Sequence, residues 1–196
     1  GRFKINNLEA VASDASPLKP QRLFSFLAKR LPSSHSAFFD AGNSWAWSTH
    51  YYQRPEADGS FRMAMGFGAM GWSIGASIGS CIANPKKPTI CVTGDGAYLM
   101  SGQEITTALS EQLPLVVLVV NDGVYGMVMH GQRLGCAERI GYELNVINYA
   151  ALAEAMGIEG IIVETADQLN ALDFERLFSK KGPTIIDVRI DKEEVP

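Results

Sequence analysis

The sequence predicts a three-layer α/β fold, a doubly wound and mostly parallel sheet with helices on both faces. Apolar runs that are typical of strands alternate along the chain with segments of helical periodicity. The central runs, PTICVT at residues 88–93 and LVVLVV at residues 115–120, are continuously apolar. Continuous apolar runs are typical of parallel strands that are covered on both faces.

The elements follow in order along residues 20–196, which we predict to be one domain, after a polar and irregular linker at residues 1–19 from an upstream region. A helix is predicted where apolar residues recur at helical spacing or small residues dominate, and a strand where a short apolar run lies between turn residues. The predicted helices are residues 21–31, 68–83, 101–112, 149–156 and 166–179. The predicted strands are residues 37–40, 88–93, 115–120, 160–163 and 184–190, with a turn at Asp58 and Gly59.

The composition is that of a globular protein. The 196 residues are 46% hydrophobic and 19% charged, and the net charge of −4 argues against a nucleic-acid or acidic-membrane partner. The cysteines show neither a zinc pattern nor a disulfide pattern, so we expect a cytoplasmic location. Residues 63–85 are uncharged and long enough to span a bilayer. Their Gly, Ala, Ser and Asn content makes a transmembrane helix the less favoured interpretation.

Two strand ends carry the residues of chemical interest. One strand runs into Gly94, Asp95 and Gly96, and the next runs into Asn121 and Asp122. Ligands of open parallel sheets bind at the carboxyl ends of the strands. Carboxylate, amide and carbonyl oxygens are ligands of hard cations such as Mg²⁺, and the amides that open the following helix suit an anion.

Positive charge is absent from this part of the sequence. No Lys or Arg occurs between Lys87 and Arg133, so a phosphate beside Asp95 and Asp122 would be repelled unless a divalent cation lay between them. Each strand end taken alone is equally consistent with a tight turn. In that case the chain would be a non-catalytic nucleotide- or phosphate-binding α/β module.

Together, the two strand ends resemble the binding motif for thiamine diphosphate (ThDP), which is Gly-Asp-Gly followed, after a helix and a strand, by Asn-Asn or a close variant. Asp95 and Asp122 are 27 residues apart, as the two side-chain metal ligands of that motif usually are. The segments GFGAMGWSIGASIGS and GDGAYLMSGQEITTALSEQLPLVVLVVNDGVYGMV are similar to those of acetolactate synthase-like enzymes. The resemblance implies the C-terminal, diphosphate-binding domain of a ThDP- and Mg²⁺-dependent 2-oxo acid decarboxylase or carboligase.

The resemblance also implies roles for individual residues. It places the metal on the side chains of Asp95 and Asp122 and the carbonyl of Val124, with Asn121 as an alternative one position away. The Gly68 carbonyl would accept a hydrogen bond from the 4′-amino group of the cofactor. Met70 would support the bent shape of the cofactor, and Gly96 and Ala97 would offer amides to the diphosphate. The remaining residues expected to contact the cofactor are Asn43, Ser44, Gly94, Tyr125, Gly126 and Met127.

Two features limit what the resemblance implies. In this family the glutamate that activates the cofactor belongs to a pyrimidine-binding domain, and no segment here resembles that domain. We therefore expect no catalytic residue in this chain and no activity from the chain alone. Its expected partners are that domain, on the same polypeptide or on a separate subunit, a 2-oxo acid and a second copy of the chain. Acetolactate synthases also have a Trp near the position of Gly131, and its absence here leaves the acceptor substrate open.

Other patterns have simpler interpretations. Residues 66–71 satisfy GxGxxG, but no convincing strand precedes them and position 91 is not acidic, so a dinucleotide site is the less favoured alternative. The spacing of Gly71, Gly75 and Gly79 indicates a closely packed helix, and the resemblance implies that this helix lies near a domain interface. The histidines are expected at the surface or in loops, with His130 singled out because it follows the cofactor motif, and the tryptophans in the core or an interface: His35, His50, His130, Trp45, Trp47 and Trp72.

Overall fold

Six strands form the centre of the computed structural model, which describes residues 7–54 and 61–196. They are β1 (Ser36–Phe39), β2 (Phe61–Met63), β3 (Thr89–Gly94), β4 (Leu115–Asn121), β5 (Glu159–Val163) and β6 (Thr184–Arg189). The strands form one sheet in the order β2-β1-β3-β4-β6-β5, and every neighbouring pair is parallel. The carboxyl ends of β1, β3 and β4 therefore lie side by side at one edge.

Ten helices connect and flank the described strands. They are α1 (Leu8–Ala12), α2 (Pro20–Arg30), α3 (Asn43–Tyr51), α4 (Trp72–Ala83), α5 (Asp95–Ser101), α6 (Ile105–Ser110), α7 (Gly126–Leu134), α8 (Tyr149–Ala155), α9 (Ala166–Asn170) and α10 (Phe174–Ser179). A 3₁₀ turn at Gly102–Glu104 joins α5 to α6. None of the described helices is long and apolar enough to cross a membrane.

The side chains of β4 alternate between two hydrophobic cores, which confirms the predicted three-layer fold. Val116 and Leu118 pack with residues of α2, α3, α9 and α10 on one face of the sheet. Val117 and Val119 pack with residues of α4, α5, α6 and α8 on the other. Each fully buried Val or Leu contributes roughly 1.5–3 kcal/mol to folding. A strand that serves both cores has no polar face, which explains its uninterrupted apolar sequence.

Three predicted helices begin elsewhere or divide in the structure. The helix predicted over residues 101–112 begins only at Ile105, as α6, after the 3₁₀ turn that joins it to α5. The helix predicted from residue 68 begins at Trp72, because Gly71 adopts a left-handed conformation with φ of 86°. The helix predicted over residues 166–179 is interrupted by Leu172, which is buried in the core. Asp173 then caps a new helix by accepting a hydrogen bond from the Arg176 N–H at 3.0 Å.

The region predicted as an irregular linker contains ordered structure in its described part. Asn7 caps α1 by accepting a hydrogen bond from the Ala10 N–H at 2.9 Å. Leu18 is fully buried and forms a parallel bridge with Ile190. A five-residue helix is too short to show periodicity, so sequence patterns do not reveal it. The predicted turn at Asp58 and Gly59 lies outside the described residues.

Two of the histidines are buried, His35 in a loop as predicted and His130 on a helix. His35 contacts the Tyr52 hydroxyl and the Pro32 carbonyl through its two ring nitrogens. His130 is buried on α7, and burial lowers its pKa. Their neighbours are distant in sequence, or are backbone atoms, so side-chain spacing gives no warning of the burial.

Leu118→Ala is expected to lower the free energy of unfolding by about 2–5 kcal/mol, because this fully buried side chain of β4 would leave a cavity between sheet and helices. Leu134→Ala is the matched control. Leu134 is 80% exposed, so its truncation should change stability by less than about 0.5 kcal/mol. Urea unfolding followed by circular dichroism measures both, and equal losses would contradict the assigned core.

Candidate functional site

A cavity of about 410 Å³ opens at the carboxyl edge of the sheet. The ends of β1, β3 and β4, the loop before α4 and the start of α7 form its walls. All the residues predicted to contact a cofactor line this cavity: Asn43, Ser44, Gly68, Met70, Gly94, Gly96, Ala97, Tyr125, Gly126 and Met127. The predicted metal ligands Asp95, Asp122 and Val124 line it as well.

Asp95 is the first residue of α5 and is buried at the end of β3. Its Oδ1 accepts a hydrogen bond from the Gly96 N–H at 2.7 Å, and its Oδ2 accepts one from the Gly123 N–H at 2.8 Å. Burial raises the pKa of Asp95 to about 6, against the effect of these two hydrogen bonds. The carboxylate thus joins the two strand ends and would gain from a nearby cation.

Asp122 follows β4 and faces the same cavity. Its Oδ1 accepts a hydrogen bond from the Val124 N–H at 3.2 Å. Burial, and next the charge of Asp95, raise the pKa of Asp122 to about 7, and the charge of Lys192 opposes them weakly. Two buried carboxylates with raised pKa values, one of them raised partly by the charge of the other, favour the binding of a divalent cation.

The loop between α7 and α8 holds the turn that follows β4. The Tyr142 carbonyl accepts a hydrogen bond from the Tyr125 N–H at 2.7 Å, and the Leu144 N–H donates one to the Gly123 carbonyl at 2.9 Å. Val124 forms an antiparallel bridge with Glu143 between these two bonds. The position of the Val124 carbonyl therefore depends on a segment about twenty residues further along the chain.

Asn121 is turned away from the cavity. Its side-chain amide donates hydrogen bonds to the Ile147 carbonyl at 3.0 Å and to Asp187 Oδ1 at 2.8 Å. Asp187 is fully buried and also accepts a hydrogen bond from the Tyr149 N–H at 2.9 Å. Asn121 therefore supports the loop and the start of α8, while Asp122 faces the cavity.

Gly126 and Gly96 allow close contacts that a larger residue would block. A Cβ at Gly126 would lie 2.3 Å from Asn43 Nδ2 and 3.3 Å from Asp122 Oδ2. A Cβ at Gly96 would lie 2.5 Å from the Tyr125 ring. Both glycines bring the ends of different strands and helices together at the Asp95–Asp122 side of the cavity.

Eleven residues that the sequence did not assign to the site also line the cavity, and the larger ones near its open side and at the end of β1 are Asp40, Trp45, Met63, Met65 and Phe67. Asp40 follows β1 and precedes Gly42, so the strand-end pattern used for Asp95 would have identified it. The four apolar residues lie on elements without a comparable signal. Phe67 is 95% exposed, so this side of the cavity is open and apolar.

The donor set fits a divalent cation bound together with an anion. Among the described residues, no three His, Cys, Asp or Glu side chains group into a metal site. Two carboxylates and one carbonyl leave coordination positions for the oxygens of a ligand, as Mg²⁺ sites with phosphate ligands usually do. The described lining residues include no Lys or Arg that would neutralise a phosphate directly.

Comparisons with known proteins identify the family of this chain. Residues 40–188 match the family described as "Thiamine pyrophosphate enzyme, C-terminal TPP binding domain", thiamine pyrophosphate being another name for ThDP. The chain is 31% identical over 176 residues to the acetolactate synthase isozyme 2 large subunit of Escherichia coli K12, across 88% of this chain and 31% of that protein. It is 29% identical over 191 residues to the acetolactate synthase large subunit of Cyanidium caldarium, across 94% of this chain and 32% of that protein.

The chain spans about a third of the length of these relatives. The family match covers the ends of β3 and β4 and the residues that follow β1, and with them every residue that lines the cavity except Ile190. This chain therefore belongs to the family of C-terminal thiamine pyrophosphate-binding domains of thiamine pyrophosphate enzymes.

Proposed function

We propose that this domain binds the diphosphate of ThDP through Mg²⁺ and serves an acetolactate synthase-like 2-oxo acid decarboxylase or carboligase. The observation that carries the proposal is the pair Asp95 and Asp122, which face one cavity with raised pKa values. A cation bound between Asp95 and Asp122 would compensate the negative charge of both carboxylates and of the diphosphate. Family membership identifies the cofactor that brings such a diphosphate.

The two sides of the cavity would hold the two ends of the cofactor. Asp95, Asp122 and the Val124 carbonyl would bind the metal. Ala97 lies in the first turn of α5, where backbone N–H groups have no acceptor within the helix, and would meet the diphosphate. The Gly96 N–H already donates to Asp95, which makes its predicted contact with the diphosphate less favourable. The other predicted contacts, including Gly68 and Met70, line the same cavity.

ThDP supplies the carbanion chemistry when it is bound, and the protein supplies binding and orientation. The residues of this chain would hold the diphosphate, exclude water with apolar side chains and present the cofactor at the open side of the cavity. The activating glutamate would come from a pyrimidine-binding domain, and the substrate would be a 2-oxo acid. The acceptor stays open, because Gly131 stands where acetolactate synthases have Trp. A cytoplasmic location and a linker at residues 1–19 also stay predictions.

A non-catalytic nucleotide- or phosphate-binding module is the second candidate. The apolar side of the cavity disfavours a bare phosphate as the ligand, because Met63, Met65, Phe67 and Met70 offer it no hydrogen-bonding side chain. An organic ring system attached to the phosphates would use that surface, and family membership favours ThDP over a nucleotide.

ThDP should bind only with a divalent metal, and Asp95→Ala should abolish the binding because it removes a ligand charge. Asp122→Asn should be tolerated, because an amide oxygen can also bind the metal and this variant removes the repulsion from Asp95. Calorimetric titration of the folded variants with ThDP, with and without Mg²⁺, measures both effects. Binding by Asp95→Ala equal to that of the unsubstituted protein would show that the metal assignment is wrong.

Asn121→Ala tests which residue of the pair binds the metal. We expect it to lower the free energy of unfolding by about 1–3 kcal/mol, because Asp187 would lose a buried hydrogen bond. The affinity for Mg²⁺-ThDP of the folded fraction should change far less than in Asp122→Ala. The reverse order of affinities would assign the metal to Asn121.

The domain should self-associate through α4 and the open side of the cavity. Apolar side chains are exposed there, and patches of several hundred Å² usually mark an interface. They are Met65, Phe67, Trp72, Ile82, Leu99, Met100, Met127 and Val128.

Gly79→Glu should shift the protein from dimer to monomer in a light-scattering dilution series. Gly79 is exposed and a Cβ there meets no atom within 4 Å, so the fold should tolerate the change. Asn170→Glu, at an exposed position of α9 on the other face of the sheet, adds the same charge and should leave the dimer intact. A monomeric unsubstituted protein at high concentration would contradict the interface.

A further inference from the structure

Asp40 is a fully buried carboxylate at the end of β1 that lines the cavity. It accepts hydrogen bonds from the N–H of Ala41 at 2.9 Å and from the N–H of Gly71, which lies 3.0 Å and 3.1 Å from its two oxygens. The hydroxyls of Ser73 and Thr93 donate to its Oδ2 at 2.7 Å and 2.9 Å. The three elements that meet at Asp40 are β1, β3 and the start of α4.

These neutral donors take up the acceptor capacity that a metal ion would need. A buried carboxylate is stable without a cation when N–H and O–H groups compensate its charge in this way. Asp40 therefore differs from Asp95 and Asp122, although all three follow parallel strands at the same edge. The hydrogen bonds of Asp40 connect the end of β1 to β3 and to the start of α4.

The hydrogen bond between Asp40 and the Gly71 N–H affects both sides of the cavity, because Gly71 lies between the two. Gly71 has φ of 86° and ends the loop that contains Gly68 and Met70. A Cβ at Gly71 would lie 2.4 Å from Ser101 Oγ and 3.4 Å from the Ala97 carbonyl, so this glycine packs directly on α5. Asp40 holds Gly71 against the helix that begins at Asp95, and so sets the spacing between the Gly68–Met70 loop and that helix.

We propose that Asp40 is a positioning residue that holds the Gly68–Met70 side of the cavity at the distance from the Asp95–Ala97 side that a whole ThDP molecule requires. The proposal rests on the proposed function, because that function assigns the two ends of the cofactor to these two sides. A ligand that occupies only the Asp95–Ala97 side does not depend on the spacing. The affinity for whole ThDP should therefore depend on Asp40, and the affinity for its diphosphate end should not.

Asp40→Asn tests this with two ligands, ThDP and inorganic pyrophosphate, each titrated calorimetrically in the presence of Mg²⁺. The amide keeps the size of the side chain but turns an NH₂ group toward the Ser73 and Thr93 hydroxyls, or toward Gly71. We expect the affinity for ThDP to fall about tenfold or more, which is the scale of a lost hydrogen bond to a charged group. The affinity for pyrophosphate should stay within about twofold of the original value.

Two controls frame this comparison. Asp14→Asn removes the same charge from a side chain that is 77% exposed and should change neither affinity. Asp95→Ala should lose both ligands. Equal loss of both ligands in Asp40→Asn, or unchanged affinity for ThDP, would overturn the proposal. If Asp40→Asn does not fold, the same two titrations are made with Ser73→Ala. This variant removes one hydrogen-bond donor to Asp40 and leaves the charge of Asp40 in place.

Hydrogen–deuterium exchange of the protein without ligand gives an independent measurement. Asp40→Asn should accelerate exchange in residues 64–74 and leave residues 95–101 as in the unsubstituted protein. Uniform acceleration would show a general loss of stability and contradict the proposal. Failure of the unsubstituted protein to bind ThDP would instead refute the proposed function, and the exchange data would still decide whether Asp40 holds the loop.

Discussion

Buried negative charge at one edge of the sheet is the constraint on which the rest of the structure depends. Parallel pairing places the carboxyl ends of β1, β3 and β4 side by side, and each end carries an aspartate. A carboxylate that leaves water must be compensated by hydrogen bonds or by a cation. The protein compensates Asp40 with four donor groups. It leaves Asp95 and Asp122 with raised pKa values.

The aspartates at this edge of the sheet therefore have two different roles. Asp40 supports the surrounding structure, and Asp95 and Asp122 face the cavity where a ligand would bind. Asp40 joins β1, β3 and the start of α4, and Asn121 with Asp187 joins β4, β6 and the start of α8. These buried hydrogen bonds connect the strands that carry Asp95 and Asp122 to neighbouring elements. The open side of the cavity is apolar, and its exposed residues continue onto α4. Binding and self-association would therefore use adjoining surfaces.

Sequence patterns predicted the elements with strong local signals and missed the others. The buried strands β3 and β4 and the amphipathic helix α2 were identified within one or two residues. Helix α3 has no apolar stripe, and β2 has three residues, so neither shows a period. The loop between α7 and α8 also has no pattern of its own, although it holds the turn at Val124. A contact between two segments that are distant in the sequence does not show in the spacing of residues within either segment.

The sequence by itself determined the fold class and the strand ends that carry Asp95 and Asp122. Both follow from apolar runs, glycines and acidic residues that are close together along the chain, whereas the other predicted site residues came from the resemblance to a known family. Only the tertiary structure decided that Asn121 turns toward Asp187, that Lys192 acts on Asp122, and that Asp40 joins β1 to Gly71. Those outcomes depend on which buried donors meet which acceptors. These partners are far apart in the sequence and come into contact only when the chain folds.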